Sequence, residues 1–202
     1  MKKFILLFAG VFAISGLAHT AAPYKAGDQI TDFSLKNVNG EMVSLLQFSD
    51  AKGFIVVFTC NTCPVVKKYD QRINDLNKEF SSKGYPVIAI NSNDQMVSPN
   101  DSFSDMQKTA KNKGYTFPYL YDESQEIAKS FGATNTPHVY LLSKKEGKLM
   151  VEYIGAIDNN ADDPAKADKK YVAEAVNALL KNGQVAVTNT KAVGCGIKWK
   201  KS

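Results

Sequence analysis

The sequence predicts an α/β domain with a mixed central sheet flanked by helices, and three observations carry that expectation. Strand-like and helical patterns alternate at short spacing between Phe54 and Phe131, the signature of βαβ units around a parallel core. The run Phe54 to Phe58 is apolar throughout and leads into Thr59, as expected of a strand buried on both faces. Two further pairs of apolar segments, one around Asn39-Gly40 and one around Glu146-Gly147, read as antiparallel hairpins before and after that core.

The chain has 202 residues, which on a prior of about 150 residues per domain implies one core. Hydrophobic residues make up 44% and charged residues 22%, which excludes a disordered chain and a multi-span membrane protein. Met1-Lys2-Lys3, an apolar run from Phe4 to Leu17 and a small-residue site at Gly16 and Ala18 read as a secretory signal peptide over residues 1–18. That run is shorter than the roughly 20 apolar residues a spanning helix needs. Residues 23–202 are then a single domain whose last segment, 184–202, is an irregular tail. Removing Lys2 and Lys3 lowers the formal charge from +5 to +3, so nothing asks for nucleic acid.

The first hairpin pairs Asp32–Leu35 with Met42–Leu45, because Asn39-Gly40 tolerates positive φ at both central turn positions. A short connection leads to the strand ending at Thr59. From Cys63 the spacing of Val66, Tyr69, Ile73, Leu76 and Phe80 predicts a helix closed by Gly84. Pro86–Ile90 follows as a strand and Asn91–Asn100 as a polar loop. Asp101 offers an N-cap for a helix over Ser102–Lys113. Phe117–Tyr121 reads as a strand, and Asp122 as the N-cap of a helix over Glu123–Phe131, with Gln125 completing a capping box. After the second hairpin, Val139–Leu142 with Lys148–Ile154, an acidic loop leads to an amphipathic helix over Tyr171–Leu180 stopped by Gly183.

The chemistry sits where the buried strand meets the first helix, at Cys60-Asn61-Thr62-Cys63-Pro64. A thiolate is the species that attacks a disulfide, and a helix N-terminus favours it through unpaired N–H groups and the dipole. Cys60, just ahead of the first turn and the more exposed, is the expected attacker, and Cys63 the thiol that resolves the mixed disulfide. Lys67 and Lys68 add exposed positive charge nearby. The same two cysteines also suit a structural disulfide or half of a metal site, although a four-ligand zinc site would need Cys60, Cys63, Cys195 and His138 to converge. Cys195, flanked by Gly194 and Gly196, is either an inert thiol or part of a tail folded back over the dithiol as an accessory redox partner. His138 is expected at an exposed strand position. Thr136-Pro137 opens that strand, where proline is tolerated.

Together the Asn-Gly hairpin, Phe58-Thr59-Cys60-Asn61-Thr62-Cys63-Pro64, Asn91-Ser92-Asn93-Asp94, Phe117-Pro118-Tyr119-Leu120-Tyr121-Asp122 and Thr136-Pro137 resemble the thioredoxin superfamily. Within it the resemblance is to exported peroxiredoxin-like redoxins of the alkyl hydroperoxide reductase and thiol-specific antioxidant type. Many of these end in Gly-Cys-x-Ile-Lys-Trp, matched by Gly194-Cys195-Gly196-Ile197-Lys198-Trp199. The resemblance spans Gly27 to the C-terminus. It implies a thioredoxin-like fold, a cis Pro137 opposite the dithiol, and a Thr136 backbone that pairs with a bound substrate strand. Thr59 stands where thioredoxins have Trp, Asn61-Thr62 where they have Gly-Pro, and Phe54 where they have a buried Asp. The peroxidatic pattern of peroxiredoxins places Thr three residues before the reactive Cys. Here Val57 precedes Cys60 by three, and Cys60 itself precedes Cys63 by three.

These readings converge on an exported thiol-disulfide oxidoreductase, periplasmic or extracellular, that uses Cys60 and Cys63 with Thr136 and Pro137 and needs no metal or organic cofactor. Its substrates are disulfide-containing proteins or small molecules, and an external redox partner, expected at the membrane, resets it. The competing readings are a thiol peroxidase and a copper- or zinc-binding module, since soft thiolates select those metals.

Overall fold

A computed structural model describes residues 22–201, so the expected signal peptide lies outside the described residues. The first hairpin is present: β2 (Ser34–Asn37) and β3 (Met42–Ser44) turn at Gly40, whose φ of 92° suits glycine. Before it lies a two-residue strand, β1 (Gln29–Ile30), which the sequence did not suggest. The apolar run forms β4 (Gly53–Thr59), buried at every position. Helix α1 (Pro64–Phe80) follows, with Pro64 in the first turn, where its missing N–H costs nothing. A short 3-10 turn extends α1 to Gly84, whose φ of 93° ends it.

Then come β5 (Val87–Asn91), α2 (Phe103–Asn112), β6 (Tyr119–Tyr121) and α3 (Glu126–Phe131). After them lie β7 (Asn135–Thr136), β8 (His138–Lys145), β9 (Lys148–Gly155), α4 (Tyr171–Leu180) and β10 (Cys195–Gly196). The main sheet runs β1-β9-β8-β4-β5-β6-β2-β3. Strands β4, β5 and β6 are parallel neighbours, and the remaining pairings are antiparallel, so the sheet is mixed.

Alternation along β4 builds two cores. Ile55 and Val57 pack with Tyr69, Ile73 and Phe80 of α1 and with Val172 and Val176 of α4. Phe54, Val56 and Phe58 face the other layer, with Ala128 and Phe131 of α3. The ring of Phe131 meets those of Tyr24, Phe33, Phe58 and Tyr140 edge-on, at centroid distances of 5.1 to 5.9 Å. Among the described residues no helix is long and apolar enough to cross a membrane.

Two helix starts differ from expectation. Ser102, not Asp101, caps α2, its hydroxyl accepting from the Asp105 N–H. Helix α3 begins three residues later than the Asp122 cap implied, and Gln125, in the left-handed region at φ 65°, is its cap residue. Asp122 still accepts from the Ala128 and Ile127 N–H groups, but it is fully buried and also receives the Ser92 hydroxyl at 2.8 Å. The Gln125 amide does not reach back to close a capping box; it donates to the carbonyls of Ser92 and Lys198. Local pattern offered these residues as caps, whereas tertiary partners claim them.

The tail is more ordered than its composition implies. Asn189 bridges to Ile154, β10 pairs with β7, and Ile197 is buried in the α3-side core. His138 is also a correction. It is buried on β8, its Nδ1 accepting from the Thr134 N–H at 3.4 Å and its ring tilted against Tyr140. The apolar neighbours that make β8 a central strand leave little solvent at this position, and burial pushes the imidazole down to about 4. Above pH ~6.5 the ring is neutral in both folded and unfolded chains and carries no penalty. As pH falls towards 4 the unfolded chain takes up a proton that the folded one refuses, so stability drops by up to about 3 kcal/mol. Urea midpoints at pH 7.5 and 4.5 check this: His138→Phe should shrink the acid-side loss, and an unchanged loss would refute it.

Candidate active site

The site lies beyond the carboxyl ends of the parallel strands, where β4 delivers Cys60 and the loops after β5 and β6 converge. Cys63 is the N-cap residue of α1. Cys60 lies three residues earlier, in the turn between strand and helix. Both are almost fully buried, at 3% and 2% exposure, so Cys60 is not the exposed thiol expected. All three cysteines are free thiols.

Thr136 joins them. The Cys60 sulfur lies 3.3 Å from its hydroxyl, and the protonated Cys63 thiol donates to its carbonyl at 3.3 Å. The Thr136–Pro137 peptide bond is cis. The tail completes the group: Cys195 sits opposite Thr136 in the antiparallel β7–β10 pair and packs against Cys60, Cys63 and Val66. The backbone edge expected to receive a substrate strand is therefore occupied by the chain's own Cys195-Gly196.

The two buried thiols are shifted in opposite directions. Burial pushes Cys60 up; the Thr136 hydroxyl offsets part of this, and the Asp101 carboxylate adds to it. Burial also acts upward on Cys63, but hydrogen bonds from the Cys195 thiol and from the N–H groups of Val66, Cys195 and Val65 outweigh it. The Cys63 thiol therefore lies below its ordinary value. The Thr136 carbonyl holds the protonated form, so Cys63 is poised between two hydrogen-bonding arrangements. The N–H groups of Val65 and Val66 in the first turn of α1 reach Cys63, whereas Cys60 receives those of Thr62 and Cys63 just ahead of that turn. Lys68 takes no part in this balance, being turned outward to Asp162.

Asp101, read from sequence only as a cap, is the residue on which the Cys60–Cys63 loop is built. It is fully buried and accepts from the Asn61 N–H at 2.6 Å, the Thr62 hydroxyl at 2.8 Å, the Ser98 hydroxyl at 2.6 Å and the Asn93 amide at 2.8 Å. The Asn61 side chain donates to the Asn100 carbonyl and accepts from the Tyr119 hydroxyl at 2.9 Å. The two residues between the cysteines are thus clamped by one carboxylate 39 and 40 positions away. Its only sequence signal was an acid just ahead of a helical pattern, where short polar residues usually cap.

Among the described residues no group of three or more His, Cys, Asp or Glu side chains has the disposition to hold a metal ion. His138, which a zinc site would need, is committed to the Thr134 N–H.

Residues 26–152 match the model of the AhpC/TSA family. The chain belongs to the AhpC/TSA family. This family member is 30% identical over 157 residues to a thiol-disulfide oxidoreductase ResA of Oceanobacillus iheyensis, covering 76% of this chain and 78% of that one. A conserved protein of Geobacillus kaustophilus superposes with a TM-score of 0.81 at 36% identity, covering 88% of this chain and 93% of its own. A protein of Sinorhizobium meliloti 1021 gives 0.81 at 30% identity, covering 89% and 97%. The fold is thioredoxin-like, and the protein is a redoxin-type oxidoreductase.

Proposed function

We propose that the protein is a thiol-disulfide oxidoreductase working outside the cytoplasm, with Cys63 and Cys60 at its redox site. The observation that carries this reading is the convergence of two free thiols on Thr136, one of them at a helix N-terminus with its thiolate favoured. The Cys63 thiolate attacks one sulfur of a substrate disulfide and expels the other as a thiolate. A second protein thiol then loses its proton, attacks the Cys63 sulfur and releases the remaining substrate thiol. The substrate gains two electrons and the protein ends with a disulfide. A dithiol partner must return those electrons, and a membrane-bound one suits an exported chain. The apolar segment Phe4–Leu17 supports export, and relatives named thiol-disulfide oxidoreductase support the reaction class.

Peroxide reduction is the second reading, favoured by the family match and opposed by the missing threonine three residues ahead of either cysteine. The reduced protein should turn over glutathione disulfide and insulin, oxidising two of its own thiols per event, while consuming peroxide no faster than a simple thiol does. Rapid peroxide consumption with inert disulfides would reverse the assignment. Copper or zinc retained through purification and lost in Cys63→Ser would move it to a metal-binding module.

A further inference from the structure

The geometry points to Cys195 as the thiol that resolves the mixed disulfide on Cys63, so that turnover passes through a Cys63–Cys195 disulfide between helix α1 and the tail. This rests on the reading of Cys63 as the attacking residue and adds the step that follows it.

Placement is the first argument. Cys195 is not a loose residue near the site; it is fastened on both sides. Upstream, the Asn135 amide donates to the Gly194 carbonyl at 3.0 Å. Downstream, the Ile197 N–H reaches the Thr134 carbonyl at 3.0 Å, and the Lys198 N–H reaches the Asn93 side chain at 2.8 Å. The Asp94 N–H and the Gln125 amide both donate to the Lys198 carbonyl at 2.8 Å, while the Lys200 N–H donates to Gln125. These bonds hold Cys195 packed against the cluster of Cys60, Cys63 and Val66. A Cβ on Gly194 would collide with the Thr136 carbonyl, so glycine at this position is what lets the tail lie this close.

Chemistry is the second argument. Cys60 and Cys195 are both candidates for resolution, and both start as poor thiolates. Burial lifts Cys60, and the Asp101 carboxylate lifts it further; neither changes when Cys63 reacts. Cys195 is pushed up to about 11, first by burial and next by the hydrogen bond and the charge of Cys63 itself. Once Cys63 is bonded to a substrate sulfur its negative charge is gone. Those two effects vanish, whereas Lys198 continues to favour the Cys195 thiolate. The event that calls for a resolving nucleophile therefore activates Cys195 and leaves Cys60 as it was.

The step balances. The Cys195 thiol loses its proton to water, its sulfur bonds to that of Cys63, and the substrate thiolate leaves and is protonated. In the disulfide so formed, Cys195 is the more exposed end, since it is half-buried while Cys63 is enclosed. An external dithiol then attacks the Cys195 sulfur and expels Cys63, the lower-pKa and better leaving thiolate. Closure of the partner's own disulfide frees Cys195.

The test uses Cys60→Ser in the full mature chain. The reduced variant is mixed with glutathione disulfide, quenched with acid, alkylated and mapped by mass spectrometry. A Cys63–Cys195 disulfide with no glutathione retained is expected. A lasting glutathione adduct on Cys63 with Cys195 free would overturn the inference while keeping the function. Absence of any reaction at Cys63 would overturn both. Gly194→Val, which keeps all three thiols, supplies the second measurement. However fast its adduct on Cys63 forms, that adduct should persist at least about 10-fold longer than in the wild type. Equal lifetimes would show that the tail plays no part in resolution.

Discussion

Replacing Cys63 with serine should slow reduction of glutathione disulfide by about 10³-fold or more, and Cys60→Ser should leave the first attack on substrate within about 10-fold of wild type. The asymmetry follows from where the helix starts. N–H groups of the first turn and the Cys195 thiol converge on the Cys63 sulfur and favour its thiolate. Cys60 is buried outside that turn, beside the Asp101 carboxylate, and is held protonated. A serine hydroxyl does not attack disulfides, so Cys63→Ser leaves only the less ionised sulfur. Some of the gain in thiolate fraction is returned as lower intrinsic nucleophilicity, because the Brønsted slope for this reaction is about 0.4–0.5. At neutral pH the larger population still decides the outcome. Site-resolved alkylation against pH provides the check: the Cys63 profile should rise at lower pH than an ordinary thiol, and the Cys60 profile at higher pH. The reverse pattern, with substrate adducts trapped on Cys60 in Cys63→Ser, would restore the order expected from sequence.

How much of the site was legible in the sequence has physical reasons. The run Phe54–Thr59 and the turn at Asn39-Gly40 are determined by local chemistry, apolar continuity in one case and positive φ in the other, so both were legible. The helical spacing from Val66 to Phe80 was equally plain. The start of α1 was read correctly, but the burial of each thiol and its distant partners, Asp101 beside Cys60 and Cys195 beside Cys63, leave no trace in periodicity. Asp101 and Asp122 look like caps because short polar residues ahead of helices usually are, and Gln125 looks like the third-position partner of a capping box. Their actual partners, Thr62, Ser92 and Lys198, lie tens of residues away. The tail had no readable period because its order comes from single backbone bonds to Thr134, Asn93 and Gln125 rather than from a repeated apolar face. His138 was misplaced because one polar residue in an apolar strand does not say which side the solvent lies on.

Asp101→Ala should be the most damaging substitution outside the cysteines, lowering stability by about 2–4 kcal/mol and loosening the Cys60–Cys63 loop. The variant leaves the Asn61 N–H, the Thr62 and Ser98 hydroxyls and the Asn93 amide without their common acceptor. An unpaired buried donor costs about 1–3 kcal/mol, but water entering the vacated space recovers part of a fourfold loss. Asp101→Asn separates scaffold from charge. It keeps the shape and one acceptor oxygen, so most of the stability should remain. It also removes the negative charge that raises Cys60, whose alkylation profile should then move to lower pH. If Asp101→Asn preserves the fold and the Cys60 profile does not move, the carboxylate is a brace alone. If the profile moves while that of Cys63 stays in place, Asp101 both positions the redox loop and keeps Cys60 protonated. A buried acid, absent from the strand where thioredoxins carry it, is then supplied here by the loop that holds Asp101.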